Sequence, residues 1–200
     1  MELRNTMKTL YLERSTGSSR NGRWVNELDL DGVERIVVGT GPGSFAGIRS
    51  ALAFAQGYAL GKHCEVFGLP SACAIAAEIY QKQSLPTVPS ASRQLAPAQH
   101  LAVIGDARQG KAWVALFDGY TMAREVFQVE QSELAAAVPD DAQVTTPDAV
   151  RIEALLKETF GDRYLGGQTP TAEGLRQFVE ANPAILKSEP LPIYLNPAVR

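Results

Sequence analysis

The chain has 200 residues, 45% of them hydrophobic, with a formal charge of −3 and a pI near 5.5. That is enough apolar material for one larger domain or two small lobes. The acidic balance gives no general attraction to nucleic acid, so any RNA contact needs a local basic patch or a basic partner.

No run approaches the roughly 18 apolar residues of a membrane span. Charges at Glu2, Arg4, Lys8, Glu13 and Arg14 leave no signal peptide visible. Cys64 and Cys73 are too few for a disulfide framework and read as reduced core residues. A cytoplasmic protein with no membrane contact is expected.

Residues 1–8 read as a leader, with Met7 an equally good start, ahead of a first strand at 9–12. A Ser/Gly/Asn/Arg-rich turn leads to a second strand over 23–30, with Trp24 and Leu28 facing inward, which Asp31-Gly32 breaks. Residues 34–39 (ERIVVG) read as a buried strand feeding a glycine-proline knot at 39–44.

A helix over 44–60 follows. Phe45, Ile48, Leu52, Ala55 and Ala59 make one apolar stripe, and Ala51, Phe54 and Tyr58 a second beside it. Gly61 and Lys62 end this helix as a C-terminal cap. A strand over 64–69 and a helix from Ser71 to about Gln81 complete the first half.

The Pro/Ser/Ala-rich stretch 84–99 is the linker, dividing an N-terminal lobe of residues 1–98 from a C-terminal lobe of 99–200. Strands are expected at 100–105, 112–117 and 122–129, then a short helix at 132–138 and a strand at 142–146. Helices follow at 148–160, capped by Asp148, and at 171–181, before an extended tail at 190–195. Two similar mixed α/β lobes around a linker is the simplest architecture.

The run Gly41-Pro42-Gly43-Ser44-Phe45-Ala46-Gly47-Ile48-Arg49, followed by Ala55-Gln56-Gly57-Tyr58-Ala59-Leu60-Gly61, resembles the TsaB (YeaZ) family. Three further matches fall in family order: Gly68-Leu69-Pro70-Ser71, Asp106-Ala107-Arg108-Gln109-Gly110 with Ala112-Trp113, and Pro192-Ile193-Tyr194-Leu195. The resemblance implies a two-lobed actin-like ATPase fold built on ribonuclease-H-like cores, here with the first lobe shortened.

It also implies a role. TsaB is the non-catalytic partner of the catalytic paralogue TsaD in making threonylcarbamoyladenosine on tRNA, and it helps dock the ATPase TsaE. A homodimer in isolation is expected, with tRNA met only through the complex and no cofactor of its own, ATP or ADP entering only in the assembled complex. Two stretches depart from the family. Where its first strand carries Ile-Asp-Thr, this chain has Leu12-Glu13-Arg14-Ser15-Thr16, and residues 15–32 leave no room for the helix that normally joins the partner interface.

Two readings compete for the glycine knot. Gly41, Gly43 and Ser44 could aim backbone N–H groups at a phosphate. The tight-turn reading is favoured, because a P-loop would carry Lys-Ser/Thr where this chain has Ser44-Phe45.

For the helix, a sheet covers one stripe, so the second needs another cover. The expected partner interface is therefore Phe45, Ile48, Arg49, Ala51, Leu52, Phe54, Ala55 and Tyr58. Burying Phe54 and Tyr58 would contribute about 1.5–3 kcal/mol each.

No catalytic residue and no metal site is expected. His63 and His100 form no i, i+4 pair, and no Gly-x-Ser-x-Gly elbow is present. The missing metal ligands also disfavour the protease reading once attached to related proteins. Asp106 and Arg108 read as an ion pair fixing a hairpin. The competing functional class is a small actin-like ATPase or phosphotransferase using the cleft between the lobes.

Overall fold

The computed structural model describes residues 7–16, 25, 28–84 and 100–195. The first-lobe sheet holds β1 (Thr9–Leu12), β2 (Arg35–Gly39) and β3 (Glu65–Leu69), all parallel in the order β1-β2-β3. Helix α1 (Phe45–Lys62) links β2 to β3, and α2 (Ser71–Ser84) follows β3.

The second sheet is built on a long antiparallel hairpin of β4 (His100–Arg108) and β5 (Lys111–Asp118). Two short strands, β6 (Thr121–Met122) and β7 (Phe127–Glu130), also pair antiparallel with β5. After the single turn α3 (Leu134–Ala137), β8 (Gln143–Thr146) pairs parallel with β4. Helix α4 (Ala149–Phe160), strand β9 (Tyr164–Gly167), parallel to β8, and helix α5 (Ala172–Ala181) complete the lobe.

Strand alternation explains the layering. On β2, Val37 faces one side of the sheet while Ile36 and Val38 face the other; on β4, Leu101 and Val103 oppose Ala102 and Ile104. Both sheets are therefore apolar on both faces and need cover on both. The result is five layers: α1, the first sheet, α2 with α5, the second sheet, then α3 with α4. The central core lies between the sheets, where Phe117, Phe178, Tyr80 and Tyr120 form an edge-on aromatic cluster with α2 and α5.

The two lobes share a parallel triplet, β1-β2-β3 in one and β4-β8-β9 in the other. In the second lobe β5, the short β6 and β7 and the single turn α3 intervene between the first and second strands of the triplet. The stretch between Leu12 and Arg35, where the helix usual in the family was expected to be absent, lies partly outside the described residues.

Several expectations are corrected. The strand over 23–30 falls partly outside the described residues, and Leu28–Leu30 are not strand; Leu28 instead packs under α1. The linker and the boundary at 98/99 also lie outside them, apart from Ser84, which closes α2. The α1 helix runs through Gly61 and Lys62. His63, at φ 54°, is the left-handed cap, its N–H bonded to Ala59 O at 2.8 Å. The strand expected at 122–129 is broken into β6 and β7, and β9 was not foreseen.

Candidate functional site

A cleft of about 740 Å³ opens between the lobes at the C-terminal ends of the parallel strands. The first lobe supplies Ser15 and Thr16 after β1, Pro42–Phe45 after β2, and Ser71 and Ala72 after β3. The second supplies Asp106–Arg108 at the end of β4 and Pro147, Asp148 and Arg151 at the start of α4. The N-termini of α1, α2 and α4 all face this space, an arrangement favourable to negative charge.

The glycine knot is held by its own chain. The Gly41 N–H donates to Ser71 Oγ at 3.1 Å, and the Ser44 N–H donates to the Ser15 carbonyl at 2.5 Å. Ser44 Oγ in turn caps α1 by accepting from the Gly47 N–H at 3.3 Å. Of the three residues read as a phosphate cradle, Gly41 and Ser44 thus have their amides engaged by protein acceptors. Gly43 packs on the Ser15 backbone, where any Cβ would collide. The Gly41–Pro42 peptide bond is cis.

The charged residues of the cleft are likewise matched among themselves. Asp106 Oδ2 lies 3.5 Å from Arg108 Nη1 and 3.6 Å from Arg151 Nη1, and Arg151 reaches Asp148 Oδ1 at 3.5 Å. The Arg108 N–H donates to Asp106 Oδ1 at 2.9 Å, closing the expected hairpin. Asp148 does not cap α4 with its side chain as expected. Its Oδ2 accepts from the Asp106 N–H at 3.0 Å, joining α4 to β4. Sequence reasoning missed Arg151, whose signal was the i, i+3 spacing to Asp148 on one helix face.

Glu13, where the resemblance leads one to expect an aspartate, is not among the residues lining the cleft. Its carboxyl is tucked beneath Gly39, accepting from the Ser15 N–H at 2.7 Å, and burial pushes it above the usual carboxylate range. Burial also pushes the Cys73 thiol well up, with Glu13 adding to the effect. His63 is exposed at the end of α1, and His100 pairs with Asp141 at the far end of β4, remote from each other in the fold. Among the described residues no three His, Cys, Asp or Glu side chains are grouped to hold a metal ion, and no helix is long and apolar enough to cross a membrane.

The expected partner interface divides in two. Ile48, Ala51, Leu52 and Ala55 are 2%, 0%, 6% and 0% exposed, packed on Leu12, Ile36 and Val38 of their own sheet, so they cannot face a partner. Phe54 and Tyr58 stack at 6.1 Å and are half-buried. The physical reason is the stretch 28–33, which covers the second stripe: Leu28 and Val33 pack there, and Tyr58 Oη donates to Leu30 O at 2.7 Å. The outward face of α1 carries Ala46, Ser50, Ala53 and Gly57 at i, i+4, i+7 and i+11, with Arg49 and Gln56 exposed beside them. Phe45 at 56% and Leu60 at 84% exposure stand at the two ends. Arg49 lies over the Phe45 ring at 4.9 Å.

Residues 25–104, from before β2 into β4, match the family model of TsaD, tRNA N6-adenosine threonylcarbamoyltransferase. No curated protein matches the chain in sequence. Among solved structures, YeaZ from Pseudomonas aeruginosa superposes with a TM-score of 0.68 at 21% identity, covering 94% of this chain and 99% of that one. An uncharacterized protein with similarity to peptidase YeaZ, also from Pseudomonas aeruginosa, gives 0.66 at 19% identity over the same shares. The chain therefore has the fold of the YeaZ structures, two mixed α/β lobes flanking a cleft.

Proposed function

We propose that this chain is a non-catalytic scaffold subunit in the machinery that places threonylcarbamoyl on tRNA adenosine, docking a TsaD-type catalytic subunit through the outward face of α1. The observation that carries this reading is that face itself. Small residues Ala46, Ser50, Ala53 and Gly57 allow close helix approach, and exposed apolar side chains at Phe45 and Leu60 bracket them. The family-model match and the YeaZ fold support the same assignment. In this reading the chain pairs with itself through the same face when alone, meets a TsaE-like ATPase and tRNA only within the complex, and binds no cofactor by itself.

Co-purification with a TsaD-type subunit tests it. Ala53→Glu places a charge on exposed helix surface without touching the core, so it should abolish the complex and leave the fold intact. A complex that survives Ala53→Glu would overturn α1 as the interface.

The second reading, a small actin-like ATPase, draws support from the three helix N-termini at the cleft and from Arg108 and Arg151. Against it, the Gly41 and Ser44 amides and both arginines already have protein partners. Saturable ATP·Mg binding with turnover by the isolated chain would favour it over the scaffold.

A further inference from the structure

We propose that the tail from Lys187 to Leu195 is a strap that closes the mouth of the inter-lobe cleft, opens as a unit, and is coupled to the glycine knot at the start of α1. After α5 and a short 3-10 turn at Pro183–Ile185, the chain leaves the second lobe and lies across the first. Lys187 forms an antiparallel bridge to Gly68 on the outer edge of β3: Gly68 N–H donates to Lys187 O at 2.9 Å, and Lys187 N–H to Gly68 O at 3.4 Å. Pro190 is buried on Gly68, so closely that a Cβ there would stand 2.9 Å from the proline's own Cβ.

Farther along, the Ile193 N–H donates to the Thr40 carbonyl at 2.9 Å, and the Tyr194 ring rests on Phe45 with centroids 5.5 Å apart. Thr40 lies near the start of the knot, and Phe45, the first residue of α1, directly follows its end. Ile193, Tyr194 and Leu195 at the same time form one wall of the cleft.

The attachment is built to release. The segment has no helix or strand of its own, and Ser188 and Glu189 form an exposed bend. Its ion pair, Lys187 with Glu125 at 3.1 Å, is solvent-exposed and contributes little. Leu191 and Tyr194 remain more than half exposed. A segment tied by a few separable contacts opens at a free energy well below that of global unfolding. When it opens, the cleft loses a wall, Thr40 loses its donor and Phe45 its ring partner, so a ligand reaching the cleft meets a loosened knot.

Amide hydrogen exchange on the full-length chain tests this. Ile193→Pro removes the donor to Thr40 together with the isoleucine side chain, and Tyr194→Ala removes the ring contact with Phe45 while leaving the Ile193 N–H in place. Each should speed exchange in residues 187–195 and 40–49 together, Ile193→Pro by about tenfold for its lost hydrogen bond, while β4, β5 and α4 keep their protection. Faster exchange in the tail alone would make it an appendage. Uniform acceleration everywhere would make it part of the global core, and no change in either segment would deny it any hold. Any of these three results overturns the strap. Where Ile193→Pro fails to fold, Tyr194→Ala, at a half-exposed ring, decides.

Discussion

Gly41 and Ser71 hold each other by two hydrogen bonds: the Gly41 N–H donates to Ser71 Oγ at 3.1 Å, and the Ser71 N–H donates to the Gly41 carbonyl at 2.8 Å. This pair welds the turn after β2 to the first residue of α2. It explains why a glycine-rich turn at the mouth of a cleft works here as a joint: a donor that would point at a ligand in a phosphate loop points at a serine instead. The same joint sets the entry of α1, because Ser44 at its other end is anchored to Ser15.

Ser71→Ala should therefore cost about 1–3 kcal/mol, since it leaves the buried Gly41 N–H without its acceptor. Urea denaturation followed by Trp fluorescence measures it, with Trp113 in the core as reporter. The midpoint should fall with an unchanged slope. A loss below about 0.5 kcal/mol, the size of an ordinary surface change, would mean that the turn does not depend on this pair.

Two glycines of α1 should respond in opposite directions. A Cβ on Gly47 would overlap the Arg14 carbonyl oxygen, so the helix start must move away from the end of β1. Gly47→Ala should destabilise by about 1–3 kcal/mol. At Gly57 no atom lies within 4 Å of an added Cβ, and the position is exposed mid-helix. Gly57→Ala should stabilise the free chain by about 0.5–1 kcal/mol through helix propensity. If Gly57 packs against a partner helix, the same change weakens the complex, so thermal melting and co-purification should move in opposite senses.

The contrast between these two positions shows where sequence reasoning reaches and where it stops. The β2–knot–α1–β3–α2 succession was legible because strand runs, cap residues and a 3.6-residue period all agree there. The exposed face of α1 was not. A helical wheel shows two apolar stripes and suggests that one is spare, but it cannot show that residues 28–33 fold over Ala51 and Tyr58. Strand β9 was missed because Tyr164-Leu165-Gly166-Gly167 lacks both alternation and β-branched residues. In the cleft, Asp106 and Arg108 were legible as hairpin neighbours, whereas the Asp106 N–H bond to Asp148 joins residues 42 apart in the chain.

His100 gives a pH signature on the outer end of β4. Its Nδ1 sits 2.6 Å from Asp141 Oδ2 and its Nε2 3.9 Å from Asp118 Oδ1. The hydrogen bond to Asp141 raises the imidazole pKa, and the same bond lowers that of Asp141. The stability contributed by the histidine is fully present below its unfolded value of about 6.5 and is lost as pH rises through the raised folded pKa. The stability contributed by the aspartate is present above about 3.9 and is lost as pH falls through its lowered folded pKa. An NMR titration should find His100 above about 6.5, and Asp141→Asn should bring it down. A His100 resonance that ignores Asp141→Asn would show that the pair does not form.

Glu13 should act with the opposite pH sense to a surface carboxylate. Burial raises its pKa, and hydrogen bonds from Ser15 and Ser71 offset only part of that cost. The unfolded value is about 4.3. A carboxyl whose folded pKa is raised leaves stability intact below the unfolded value and removes it as pH climbs through the folded one. Glu13→Gln keeps the shape and an oxygen to accept from the Ser15 N–H, and it cannot ionise. The variant should match the parent at pH 4 and exceed it at pH 8 in urea midpoint. A variant weaker than the parent at pH 8 would mean that the folded chain holds an ionised, well-partnered carboxylate beneath Gly39, and that the end of β1 is tuned for charge after all.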